Sequence, residues 1–215
     1  MKKIKVITVL RSNNDWIPEY VYNFKKGLDK NLTIPYEFIC LTNIEIPNIQ
    51  CLTLSDIGQG FWSKINLFRK DLDLSGPCLY FDLDTIIKGN IDSLVNSFFK
   101  YNFLMLRDPW KPPQSASGIL WWQGDYSFLW DEFLRRPEKE WQLMYKNHPR
   151  FGDQGFIIDR VPEHRQIQEV IENPLWISRV TKKESEPDTK IVVFAGPNRK
   201  PWLNLTHPDV INHWI

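Results

Sequence analysis

Ile4 to Leu10 is an apolar run of strand length, and "EYVYNFKKGL" then sets Tyr20, Val21, Phe24 and Leu28 at helical spacing, predicting a βα unit. "YEFICL" (36–41) and "IQCLTL" (49–54) read as further strands bounded by Thr, Asn, Pro and Asp. "FWSKINLFRKDL" returns to the helical period, with Trp62, Ile65, Phe68 and Leu72 on one face and Lys64, Arg69 and Lys70 largely off it. "CLYF" (78–81) is strand-like. "NIDSLVNSFF" predicts a helix with Ile91, Leu94 and Phe98 inward, and "FLML" (103–106) and "SASGILWWQ" predict strands. "YSFLWDEFLRR" and "KEWQLMYKN" read as helices parted by Pro137, whereas "FGDQGFIID" breaks the pattern with two glycines around an Asp-Gln pair. The remainder predicts a helix around "QIQEVIE", a mobile charged loop at "KKESEPD" (182–188) and a strand at "KIVVFAG". A last helix is expected with Thr206 as its cap and Pro208 near its first position.

Strands alternating with helices at this spacing predict an α/β fold, a Rossmann-like, mostly parallel sheet with helices on both faces. The expected organisation is a single domain over 1–215. Ligands of such sheets bind beyond the carboxyl ends of the strands. One such end carries "LYFDLDTII", in which Asp82 and Asp84 follow a buried run. Two ionised carboxylates cannot be buried together without a counter-charge, so a cation is expected beside them. The chain's other Asp-x-Asp, Asp71 with Asp73, lies between a basic helix end and a Ser-Gly-Pro turn and reads as solvated loop.

Composition narrows the class. No segment reaches the roughly 18 consecutive apolar residues of a membrane span, and the apolar stretch in "MKKIKVITVLRSNND" is too short for a signal peptide, so a soluble cytoplasmic protein without a transmembrane segment is expected. Cys40, Cys51 and Cys78 sit in strand-like runs without metal spacing and read as buried free thiols. A net charge of +1 provides no whole-chain attraction to nucleic acid. Ten Trp offer faces that stack on sugars or bases, although most Trp are core.

The order of motifs resembles the GT-A glycosyltransferases, most closely the family 8 group that includes glycogenin and the lipooligosaccharide galactosyltransferases. The matching stretches are "VITVL", "FWSKINLF", "LYFDLDTIIKGNID", "SASGILWW", "GDQGFI" and "GPNRKPW", spread over nearly the whole chain. The resemblance implies a metal-dependent transfer of a hexose from a nucleotide-diphosphate sugar, with UDP expected, to a saccharide or protein-linked acceptor. Asp82 and Asp84 would hold Mn²⁺ or Mg²⁺ against the diphosphate, with Leu10 and Arg11 on the nucleotide side. Lys64, Asp108, Ser117 and Gly118 would lie near the donor sugar, and Asp153 and Gln154 near the anomeric carbon and acceptor. Gly196, Lys200 and Trp202 would form a loop over the diphosphate. Two departures stand out. Where the family carries a third metal ligand, a histidine just before the last-loop glycine, this chain has Val193, Phe194 and Ala195, leaving water or His207 for that place. Ala116 stands where the family often has Asn.

Chemistry agrees with these roles: a departing diphosphate gathers negative charge, which hard-oxygen-ligated divalent ions and a lysine neutralise. Plainer readings exist: a solvated helix lysine for Lys64, a strand-end cap for Asp108, a surface charge for Lys200 and a turn for Asp153 with Gln154. Two other functions compete. A haloacid dehalogenase-like phosphatase also ends an apolar strand in Asp-x-Asp, though near its first strand and with a Gly-Thr after the second Asp. A catalytically weak sugar-binding protein would draw on the missing histidine and on Trp121, Trp122 and Trp202.

Overall fold

The computed structural model describes residues 3–12, 16–74, 76–147 and 151–214, so the turn expected at Ser75 lies partly outside the described residues. From the amino end, β1 (Ile4–Leu10) and α1 (Pro18–Asn31) lead to β2 (Tyr36–Thr42) and β3 (Gln50–Thr53). A 3₁₀ stretch, Gly60–Phe68, precedes β4 (Cys78–Phe81), β5 (Thr85–Ile87), α2 (Asp92–Phe98), β6 (Phe103–Arg107) and β7 (Ser115–Trp122). There follow α3 (Phe128–Phe133), α4 (Glu138–Met144), α5 (Gly152–Arg160), β8 (Arg165–Gln166) and α6 (Ile167–Val170). Strands β9 (Ile177–Arg179) and β10 (Ile191–Val193) and helix α7 (Pro208–His213) complete the order.

Seven strands form the main sheet in the order β3-β2-β1-β4-β7-β6-β8, and β5-β10-β9 form a second, small sheet. Strands β1 to β4 pair in parallel, while β7 runs antiparallel to both β4 and β6, so the sheet is mixed beyond its parallel half. The two-residue period of the strands divides the core. Val6, Leu79, Phe81, Leu104 and Trp121 face α1 and α2, whereas Ile7, Tyr80, Met105 and Trp122 face the 3₁₀ stretch and the α3–α5 layer. Both strand-end carboxylates belong to the tight connection in which the chain leaves β4 for β5, one sheet for the other. Asp82 N donates to Gly118 O at 2.8 Å and Thr85 N to Asp82 O at 3.2 Å, fixing that corner.

Several local expectations are corrected. "FWSKINLFRKDL" is not an amphipathic α-helix but two 3₁₀ segments, Gly60–Phe68 and Lys70–Leu72. Every residue from Trp62 to Phe68 is buried, because the stretch runs beneath α3 and α5 on one face of the sheet and keeps no solvent side. Lys64, expected off the apolar face, is therefore 6 % exposed. The Asp-Gln break is instead the first turn of α5, entered through Gly152 at φ +59°, a left-handed conformation that suits glycine. At α7 the cap is His207, whose Nδ1 accepts from Asp209 N at 3.2 Å, rather than Thr206. The charged 182–188 loop is pinned at Ser185, whose N and Oγ donate to the buried Asp209 at 3.0 and 2.9 Å. Cys40 and Cys78 are buried free thiols and Cys51 is half-buried.

Candidate active site

A cavity of about 380 Å³ opens at the carboxyl ends of β1 and β4, lined among others by Val9, Arg11, Lys64, Asp82, Asp84 and Lys200. Lys64 and Asp82 on its wall belong to a charge network that extends to Ser117 and Asp153, which do not themselves line the cavity. Lys64, carried inward by the buried 3₁₀ stretch, lies 3.0 Å from an Asp82 oxygen and 3.3 Å from Asp153 Oδ2. The same ammonium donates to Ser117 Oγ at 2.9 Å and to Ser117 O at 3.0 Å. Ser117 Oγ in turn donates to Asp153 Oδ2 at 2.6 Å. Thus the β4–β5 corner, the 3₁₀ stretch, β7 and α5 each supply one member, and a lysine at their centre balances two carboxylates.

The second carboxylate has its own cation. Lys200, on the loop after β10, pairs with Asp84, which is 3 % exposed. The counter-charge that the sequence demands is therefore present within the chain, as two lysines that are 136 positions apart by number. Burial pushes the Asp84 carboxyl above its ordinary range, with Lys200 opposing and Asp82 adding to the rise. Burial likewise raises the Asp153 carboxyl against the pull of Lys64 and Ser117. For Lys64 burial works downward, but Asp153 and Asp82 outweigh it and hold the ammonium charged. The Tyr80 hydroxyl donates to Asp82, and burial followed by the charge of Asp82 raises its own ionisation far above the usual phenol range.

The acidic pair fits a divalent cation. Asp84 Oδ1 is buried and has no hydrogen-bond partner among the described residues, while Asp82 is half-buried and faces the same cavity. An orphaned carboxylate oxygen beside an accessible one is a hard-oxygen donor set. His207 cannot complete it as expected. Its Nδ1 accepts from Asp209 N and its Nε2 donates to Thr181 O at 3.0 Å, so neither nitrogen has a free lone pair. The last loop does reach the motif, since Phe194 N donates to Asp84 O at 2.9 Å.

Other expected positions divide. Arg11 lines the cavity and is tied to Ser63 Oγ at 2.8 Å, Ser55 O at 2.7 Å and Gly58 O at 3.0 Å; burial lowers its pKa while Asp56 and Glu138 oppose. Leu10, by contrast, is buried in the core, and Val9 takes the cavity-facing place, as strand alternation requires. Gly118 sits against the acidic pair: an added Cβ would stand 3.4 Å from Asp82 Oδ2. Gln154 is half-buried in the first turn of α5. Asp108 caps a turn, accepting from Trp110 N at 2.8 Å and Lys111 N at 3.1 Å, and does not line the cavity. Gly196 turns the last loop at φ +113°, and Trp202 is stacked on Tyr20 with centroids 3.9 Å apart. Trp202 thus anchors the Lys200 loop to α1 rather than facing the cavity. Trp121 and Trp122 are core, 0 % and 2 % exposed, and offer no face to a sugar. Sequence reasoning missed Tyr80, Ser63, Trp16 and Phe61, which also line the cavity. Only Tyr80 carried a signal, lying two residues before Asp82 and so on the opposite sheet face from Leu79 and Phe81.

No family model and no curated protein matches this sequence. Solved structures do. The glycosyltransferase GlyE of Streptococcus pneumoniae TIGR4 superposes with a TM-score of 0.62 at 13 % identity, over 92 % of this chain and 56 % of that one. The chain therefore spans little more than half of GlyE. The galactosyltransferase LgtC, solved with donor and acceptor sugar analogs, gives a TM-score of 0.57 at 12 % identity over 97 % and 91 % of the two chains. Mouse xyloside xylosyltransferase 1 gives 0.56 at 11 % identity over 93 % and 99 %. The chain has the GT-A glycosyltransferase fold, not that of a haloacid dehalogenase-like phosphatase.

Proposed function

We propose that the protein is a glycosyltransferase that moves a hexose from a nucleotide-diphosphate sugar, UDP being the expected nucleotide, to a saccharide or protein-linked acceptor. The observation that carries this reading is the pair Asp82 and Asp84, set between Lys64 and Lys200 on one cavity wall. Mg²⁺ or Mn²⁺, when held by Asp82 and Asp84, neutralises charge on the diphosphate leaving group. Lys200, paired with Asp84 here, would transfer to a diphosphate oxygen and close the loop anchored by Trp202. Lys64 and Ser117 hold Asp153 against the cost of its burial, so that its carboxylate can face positive charge developing at the anomeric carbon. Gln154, in the same helical turn, is assigned to the acceptor side.

The free thiols suit a reducing cytoplasmic compartment, and among the described residues no helix is long and apolar enough to cross a membrane. The sugar-binding alternative loses two of its three tryptophans with the burial of Trp121 and Trp122 and keeps only the missing histidine and Trp202. The test is a screen of nucleotide sugars for metal-dependent hydrolysis and transfer. Turnover of one or more donors that stops with chelator and in Asp84→Asn supports the reading; binding without turnover of any donor overturns it.

A further inference from the structure

Phe61 and Phe151 are each 46 % exposed, and their rings lie 5.2 Å apart at 46°. We propose that this pair is a stacking platform for the apolar face of a neutral acceptor sugar, an inference that rests on the glycosyltransferase reading. Position is the first ground. Phe61 is part of the wall that Lys64, Asp82 and Asp84 also line, and Phe151 stands two residues before Asp153, outside that wall. The pair therefore joins the cavity wall, through Phe61, to the entry of α5 that carries the carboxylate assigned to the anomeric carbon.

The second ground is that the platform is built. Gly152 follows Phe151 in the chain, and a Cβ there would stand 2.5 Å from Phe61 Cε2, so the Phe61 ring packs directly on bare backbone. Gly152 N donates to Tyr145 O at 2.6 Å, and the Phe61 ring also meets the buried Trp62 at 5.8 Å. A fixed ring that keeps nearly half its surface in water loses little entropy when a ligand covers it. Chemistry selects the ligand. Two apolar rings tilted at 46°, with no charged group of their own, favour the C–H face of a pyranose, while the charged cavity beside them takes the diphosphate.

The probes are methyl β-galactopyranoside and methyl β-glucopyranoside, observed by saturation-transfer NMR with the protein loaded with UDP and Mg²⁺. Phe151→Ser and Phe151→Trp are compared with the wild type, and calorimetry gives UDP affinity for each. Expected are saturated ring C–H protons for at least one glycoside, a loss of about tenfold in its affinity in Phe151→Ser, and retention in Phe151→Trp. UDP affinity stays within about twofold throughout, and equal melting temperatures show that the variants fold. A glycoside signal unchanged in Phe151→Ser, or absent from wild type that binds UDP, overturns the platform while leaving the donor reading intact. Failure of the wild type to bind UDP overturns that reading, and the platform with it.

Discussion

Lys200 donates to Asp84 across 116 residues of chain, joining the last loop to the β4–β5 corner. Asp84 has one oxygen in this pair and the other without a partner among the described residues. The lysine thus occupies part of the charge that a metal ion requires. Lys200→Met should lower UDP affinity about tenfold, the effect of one lost charge-assisted contact to phosphate. Mg²⁺ alone should bind the variant no more weakly than wild type, because a competing cation is gone. Calorimetry with each ligand separately checks both, and weaker binding of Mg²⁺ alone would show that Lys200 organises the carboxylates instead of sharing them.

Ligand linkage gives a second test. A ligand at 100 times its dissociation constant stabilises by ~2.7 kcal/mol, or roughly 5 to 10 °C in melting temperature for a chain of this size. UDP with Mn²⁺ should produce such a shift, and UDP with chelator a much smaller one. Equal shifts in a scanning fluorimeter would count against a metal clamp at Asp82 and Asp84.

The histidine-free last loop can be repaired at one position. Val193 and Phe194 are buried in the core, and Val193 pairs with Thr85 in the small sheet, so a histidine at 193 should destabilise without reaching the ion. Ala195 is half-buried and follows the residue whose N–H binds Asp84 O. Ala195→His should tighten Mn²⁺ binding and shift preference from Mg²⁺ toward Mn²⁺, since imidazole suits the softer ion. Metal titrations that superimpose on wild type would mean that this loop does not approach the ion.

Asp153 makes a pH prediction. Burial holds its folded-state pKa above the ordinary 3.8, so between those two values the native state binds the proton that the unfolded chain has lost. Its contribution to stability therefore falls as pH rises through this window and is constant above it. The urea midpoint of wild type relative to Asp153→Asn should decline with rising pH through the window, whereas parallel curves would contradict the shift. Separately, the variant should turn over donor about 10² to 10⁴-fold more slowly with near-normal UDP affinity, as for a group acting on the transition state.

The sequence by itself determined strands β1–β4, β6, β7 and β10, the alternation of faces along them and the place of the acidic pair. These follow from a two-residue period that any strand must obey, and from the cost of ending a buried run in Asp82 and Asp84 unless charge meets them. It also determined that Lys200 and Trp202 share a loop, through the order of motifs. Which lysine meets which carboxylate was decided by tertiary structure alone, because Lys64 and Asp153 are separated by four strands and three α-helices in the chain yet lie 3.3 Å apart. The same cause misled the helical reading of "FWSKINLF": its period records one buried face, but packing beneath α3 and α5 buried the other as well and drew Lys64 inside. Nor could spacing tell Trp202, stacked on Tyr20, from a side chain over the diphosphate, or assign His207 to an α7 cap. A local pattern constrains which way a side chain points, and only the assembled layers decide what it meets there.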